Sequence, residues 1–214
     1  QVLNAPVPQN VAQLSASGSV EVVQDLLAIT LSATREGADA TVVQTQLKTA
    51  LDAALAEARK QAVPGQLDVR TGSFSLYPRY SREGKISNWV GSAELVLEGR
   101  DFSRISATAG RIQTMAVSQT QFSLSREQRE RVEGEAQAQA ITRFKARAGE
   151  IARGFGFTGF SLREVAVNSN DQGAFPRPRM MAMEAKGMAA DAPVPVEAGR
   201  STVQVTVSGS IQMR

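Results

Sequence analysis

An α+β fold, with antiparallel sheets and helices packed on one face, is what this sequence predicts, and three observations predict it. Several runs alternate apolar and polar residues with the period of a half-buried strand. Two long segments repeat apolar residues with a helical period, each opening at a capping signal. Between them, Asp68 to Asp101 reads as one long β-hairpin around the charged turn Arg82-Glu83-Gly84-Lys85.

Residues 1–12 (QVLNAPVPQNVA) are polar and Pro-containing, and read as a flexible arm before a domain spanning 13–214. From Leu14 the alternation is strict: Leu14, Ala16, Gly18, Val20 and Val22 share one face, and Ser15, Ser17, Ser19 and Glu21 the other. Gln24-Asp25 turns the chain into a second strand with Leu27, Ile29, Leu31 and Ala33 on one side. The first helix has two candidate N-caps, Thr41 with the capping-box partner Gln44, and Asp39. Its narrow, Ala-rich stripe (Val43, Leu47, Ala50, Leu51, Ala54, Leu55, Ala58, Ala62) suits close packing on a sheet, and Pro64-Gly65 ends it.

The hairpin spans 68–99, roughly 35–40 Å per arm at about 3.3 Å per residue. Trp89, Gly91, Ala93, Leu95 and Leu97 share a face of its return strand. In the outgoing strand the apolar parity switches from Leu67 and Val69 to Phe74 and Leu76, which predicts a bulge or twist at Gly72. Asp101 then caps a short helix, Val117 to Leu124 forms a strand, and Ser125 with Gln128 opens the longest helix, which reaches about Arg153. Phe160 to Asn168 is a strand, 171–200 an extended Pro- and Met-rich loop, and Val203 to Met213 the last strand.

The order is ββαββαβαββ. Counted from the second strand it parses as two βαββ units joined by the short helix. Phe-Ser-Leu recurs at 74–76, 122–124 and 160–162, a weak sign of duplication.

Composition narrows the function. The chain has 214 residues, 42% hydrophobic and 21% charged, an ordinary globular balance. A net charge of +3 and 5% aromatics give no footprint for nucleic acid. With neither cysteine nor histidine, Ser-His-Asp and Cys-His catalysis, redox dithiols and Cys/His zinc sites are excluded. No apolar run approaches the roughly 18 residues of a membrane helix. The start at Gln1 fits an exported, soluble chain whose signal segment has been removed.

Taken in order, several stretches resemble the SIMPL domain family. They are SGSVEV, DLLAITLSATREGADA, the Ala-rich helix, the hairpin pair SFSLYPRY and GKISNWVGSAELVLEGRDF, then TQFSLS before the long helix and the terminal PVEAGRSTVQVTVSGSI. The resemblance covers nearly all of 13–213. Asn88-Trp89-Val90 stands where the family pattern has Gly-Tyr-Arg, and Ala198-Gly199 where it has Pro-Gly. It implies a periplasmic or otherwise exported protein, a role in oxidative-stress defence, assembly into a homo-oligomer, and no catalytic positions to carry over.

The remaining motifs are weighed on chemistry. Gly154-Phe155-Gly156-Phe157-Thr158-Gly159 has the letters of a dinucleotide loop, but it follows a helix and enters a strand, the reverse of what a pyrophosphate needs; a helix C-cap is the better reading. Glu94 and Glu98 share a strand face at roughly 13 Å, too far for a paired-carboxylate site. Glu127–Arg131 has the spacing of a helical ion pair on a charged, solvated face. Tyr80 and Lys85 lie together without a wider catalytic constellation, and no enzyme activity and no cofactor are expected. Met180, Met181, Met183 and Met188 form the one candidate soft-metal or oxidant-reactive cluster, against the simpler reading of an apolar anchor.

The expected function is therefore self-assembly through exposed strands, with Tyr77, Tyr80, Trp89 and Val90 as interface candidates. The partners are other copies and envelope components. The alternative is a small-ligand or soft-metal module using the Met-rich loop.

Overall fold

The structure, a computed structural model, describes residues 7–172 and 193–214. Ten elements follow in the order β1 (Val11–Val23), β2 (Leu26–Gly37), α1 (Ala40–Arg59), β3 (Asp68–Tyr80), β4 (Ile86–Gly99), α2 (Phe102–Arg111), β5 (Ala116–Ser123), α3 (Arg126–Gly154), β6 (Phe160–Gln172) and β7 (Arg200–Met213). The class is α+β, with three helices and two antiparallel sheets among the described residues.

The sheets are ordered β1-β7-β6 and β3-β4-β2-β5, and the chain divides into two compact units accordingly. This corrects the partition into repeats. Counting from β2 pairs β5 with α3, β6 and β7, whereas β5 joins β2 at the edge of the four-stranded sheet. The strand that completes the second repeat is β1, which runs antiparallel to β7 from Val11↔Gln212 to Val23↔Arg200. Each unit then holds the same βαββ topology. In β2-α1-β3-β4 the last strand sits between the other two, and in β1-α3-β6-β7 it does so again. Two of the three Phe-Ser-Leu copies fall on the equivalent strands β3 and β6, though at different registers.

In the unit containing β2, α1 and α2 cover one sheet face. Leu27, Ile29, Leu31, Leu95 and Leu97 meet Val43, Leu47, Ala50 and Ala54 of α1 and Ile105 of α2, all buried. Asp39, the second of the two cap candidates, is the one used: its carboxylate accepts the backbone N–H of Thr41 at 2.7 Å and of Val42 at 3.3 Å. Asp101 caps α2 through the N–H of Arg104. That N–H, with the Arg104 side chain, holds the Asp101 carboxyl below the usual carboxylate range. Residues 193–198, read from sequence as loop, are tied to α2, where Ser106 Oγ donates to the Val194 carbonyl and Val194 and Val196 pack against the core.

In the other unit α3 covers β1 and β7 mainly with alanines, and with one large side chain, Phe144. Ala136, Ala140, Phe144, Ala148 and Ala152 face Val205, Val207 and Ile211. Gly18 sets the separation, since a Cβ there would stand 2.1 Å from the Ala136 carbonyl oxygen. Ser125 caps α3 at the N–H of Gln128, and the helix ends in a Schellman motif. Gly156, at φ +83°, donates to the Arg153 carbonyl, and Phe157 donates to that of Ala152. The Gly154–Gly159 stretch is thus a helix C-cap that leads into β6.

Candidate interaction surface

The β3–β4 hairpin is built in two halves. Its proximal half lies under α1, with Leu76 and Trp89 the outermost of its side chains packed against the core. The expected bulge is present: Gly72 and Ser73 together oppose Glu94 between the pairs Thr71↔Leu95 and Phe74↔Ala93. The added residue is what moves Phe74 and Leu76 onto the face of Val69. Glu94, read from sequence as part of a solvated or interface face, holds this bulge by accepting the Ser73 N–H at 3.2 Å and its hydroxyl at 2.9 Å.

Beyond Leu76 the hairpin continues as Tyr77↔Val90, Pro78↔Trp89, Arg79↔Asn88 and Tyr80↔Ile86, with a second irregularity at Ser87. The Ser81–Lys85 turn closes through the Ser81 N–H and the Lys85 carbonyl at 2.7 Å. On one face Glu36 of β2 accepts from Asn88 Nδ2 and faces Arg79 Nη1 at 3.5 Å, which braces the hairpin against its neighbour strand.

The four interface candidates separate here. Tyr77 is 50% exposed and Tyr80 64%, joined by Ile86 at 51%, a residue the sequence reading did not single out. Trp89 is partly buried against the core of its own unit. Val90 is buried, flanked in the ladder by Tyr77 and Glu36, so it packs within the sheet and offers no outer contact. The sequence signal for that burial was faint, because Val90 lies on the face opposite Leu95 and Leu97 and only its place in a central strand encloses it.

The other chemical candidates fall as follows. Met180, Met181, Met183 and Met188 lie outside the described residues. On α3, Arg126 pairs with Glu130 at 2.9 Å and Arg131 with Glu135 at 2.6 Å. The arginines further along do more than face solvent. Arg143 Nη1 donates to the Ser17 carbonyl at 2.8 Å and Arg147 Nη1 to that of Ser15 at 3.1 Å, so both reach the backbone of β1. Among the described residues no group of three carboxylates converges as a metal site, and no helix is long and apolar enough to cross a membrane.

A family model described as SIMPL, a protein of unknown function (DUF541), matches residues 12–211. The chain belongs to the SIMPL family. The match begins within β1 and ends within β7, so it takes in both βαββ repeats, the β3–β4 hairpin of the first among them. Comparison with curated proteins gave no match. Among the described residues of this SIMPL chain, the candidate carried forward is the distal hairpin with its exposed Tyr77, Tyr80 and Ile86.

Proposed function

We propose that this SIMPL protein works without catalysis, as an exported component of the cell envelope that builds a homo-oligomer through the distal half of the β3–β4 hairpin. The assembly would carry the protective, oxidative-stress-related role that the family resemblance implies. One observation supports this reading most: Tyr77, Tyr80 and Ile86 stand at least half exposed on strands braced at their base by the Glu36–Arg79–Asn88 cluster. Tyrosines on a rigid strand offer contact area at low entropic cost, with a hydroxyl for the wet rim of an interface.

Native mass measurement at micromolar concentration tests the reading. Wild type is expected above the monomer mass, and Tyr77→Ser with Tyr80→Ser is expected to lower the subunit number with the circular dichroism unchanged. A wild-type chain that stays monomeric across that range would sink it.

A further inference from the structure

The three-stranded sheet treats its two edges differently. At one edge, β1, the carbonyls of Ser15 and Ser17 are occupied by the guanidinium groups of Arg147 and Arg143. Such a fence of cations is one way to keep an edge from recruiting another strand. At the other edge, β6 pairs among the described residues with β7 alone, and it carries a row of exposed apolar side chains. Leu162 is 52% exposed, Val165 43% and Val167 48%. Val167 pairs with buried Val207, which places the row on the helix-covered face. Val165 is bare for a local reason. Its partner is Gly209, where a Cβ would stand 2.1 Å from the Glu164 carbonyl oxygen, so no side chain can shield it.

We infer that β6 is a strand-addition edge whose occupant is β6 of a second copy, antiparallel, with the two-fold axis at Ala166. The sequence of the strand selects both the occupant and the register. Symmetric antiparallel pairing sets residues i and j of the two copies together with i and j equidistant from the axis. An axis at Arg163 or Glu164 opposes like charges, which is destabilising. An axis at Val165 sets Val167 against Arg163, and an axis at Val167 sets Val165 against Ser169. An axis at Ala166 sets Val165 against Val167 twice, and Glu164 against Asn168 twice, with no charge opposing its like. The ladder then runs from Glu164 to Asn168 and stops at the irregularity between Leu162 and Glu164. The product is one six-stranded sheet, β1-β7-β6-β6-β7-β1, whose two outer edges are both the arginine-fenced β1. Growth ends at two copies through this contact, which is distinct from the hairpin contact proposed above.

The absence of cysteine makes a direct test possible in the full chain. A residue on the axis faces itself at a Cα separation of about 4.5–5.5 Å, within disulfide reach. Under mild oxidant, Ala166→Cys is expected to give a disulfide-linked dimer. Its rate should exceed that of Ser169→Cys by roughly a hundredfold or more, because the paired thiols meet at millimolar effective concentration. Mixed Glu164→Cys and Asn168→Cys chains are expected to link to each other faster than either links to itself. Equal rates for Ala166→Cys and Ser169→Cys would overturn the proposal, and would be the result if another segment of the chain occupied this edge. Val165→Lys with Val167→Lys should abolish the Ala166→Cys cross-link at unchanged circular dichroism. The Tyr77/Tyr80 double variant should leave the cross-link intact, so failure of the hairpin reading and failure of this one give different results.

Discussion

The two units share a βαββ topology and pack it in opposite ways. Under α1 the sheet is lined by Leu27, Ile29, Leu31, Leu95 and Leu97, and the helix answers with Val43 and Leu47. Under α3 the contact is alanine on valine, with Gly18 placing the strand almost against the helix backbone. One interface is held by the volume of branched side chains and the other by proximity of backbones. The same topology therefore tolerates different errors. The first is weakened by removing atoms and the second by adding them.

The largest expected effect tests that contrast directly. Gly18→Val should destabilise the α3 unit by about 3 kcal/mol or more, because the atoms in its way are backbone and cannot swing aside. Leu95→Ala, at a fully buried position, should cost the α1 unit about 2–5 kcal/mol. Trp89 is the single tryptophan and packs in the α1 unit, so its fluorescence follows that unit while far-ultraviolet dichroism follows both. In urea, Gly18→Val should move the dichroism transition below the fluorescence transition. Coincident transitions would show that the contrast in packing does not translate into separate stabilities.

A smaller effect is expected at the fenced edge. Arg143→Ala with Arg147→Ala removes two charge-assisted bonds to exposed carbonyls, at a cost of about 1 kcal/mol in all. The more telling readout is light scattering, which should rise as the β1 edge becomes able to recruit strands. Scattering equal to wild type would mean that the arginines do not guard that edge.

The smallest effect is acid loosening of the α1 unit. The N–H of Arg104 holds the Asp101 carboxyl low, and a hydrogen bond with Lys60 does the same for Glu57. A depressed carboxylate contributes stability above its unfolded pKa, near 4, and that contribution fades as pH falls through the lower folded value. Thermal unfolding followed at Trp89 should therefore soften below about pH 4. Asp101→Asn, which keeps a capping side chain without the charge, should soften less. An identical acid profile in that variant would remove Asp101 from the explanation.

Much of this was legible in the sequence. Alternation located the strands, the apolar period located α1 and α3, and the parity switch at Gly72 announced a bulge. Caps were legible where one oxygen had one target, as at Ser125 and Asp101. Where two candidates competed, at Asp39 and Thr41, local pattern did not decide between them. Strand pairing was not legible. β1 and β5 are both short-period strands, and nothing within either says that β1 belongs with β7 and β5 with β2. The surface candidates failed for a related reason. Val90 looked like an outward residue, and only its central position in the sheet buries it. Arg143 and Arg147 belong to the same charged helix as Glu127 and Arg131, and only the placement of β1 beside it supplies their partners.

The β1–β7 ladder joins Ala12 to Ile211, the two ends of the matched domain. Both strands of that ladder must exist before it can form. The four strands of the other sheet, by contrast, all lie between Leu26 and Ser123. In a chain that emerges N-terminus first, that sheet can close before residues 124–213 of the domain have appeared. The alanine-packed unit has to wait for the final strand, and until then Val20, Val22 and the apolar face of α3 have no sheet to meet. Closure over so long a loop is entropically slow. In the growing chain, the N-terminal strand is therefore among the last segments to find its place.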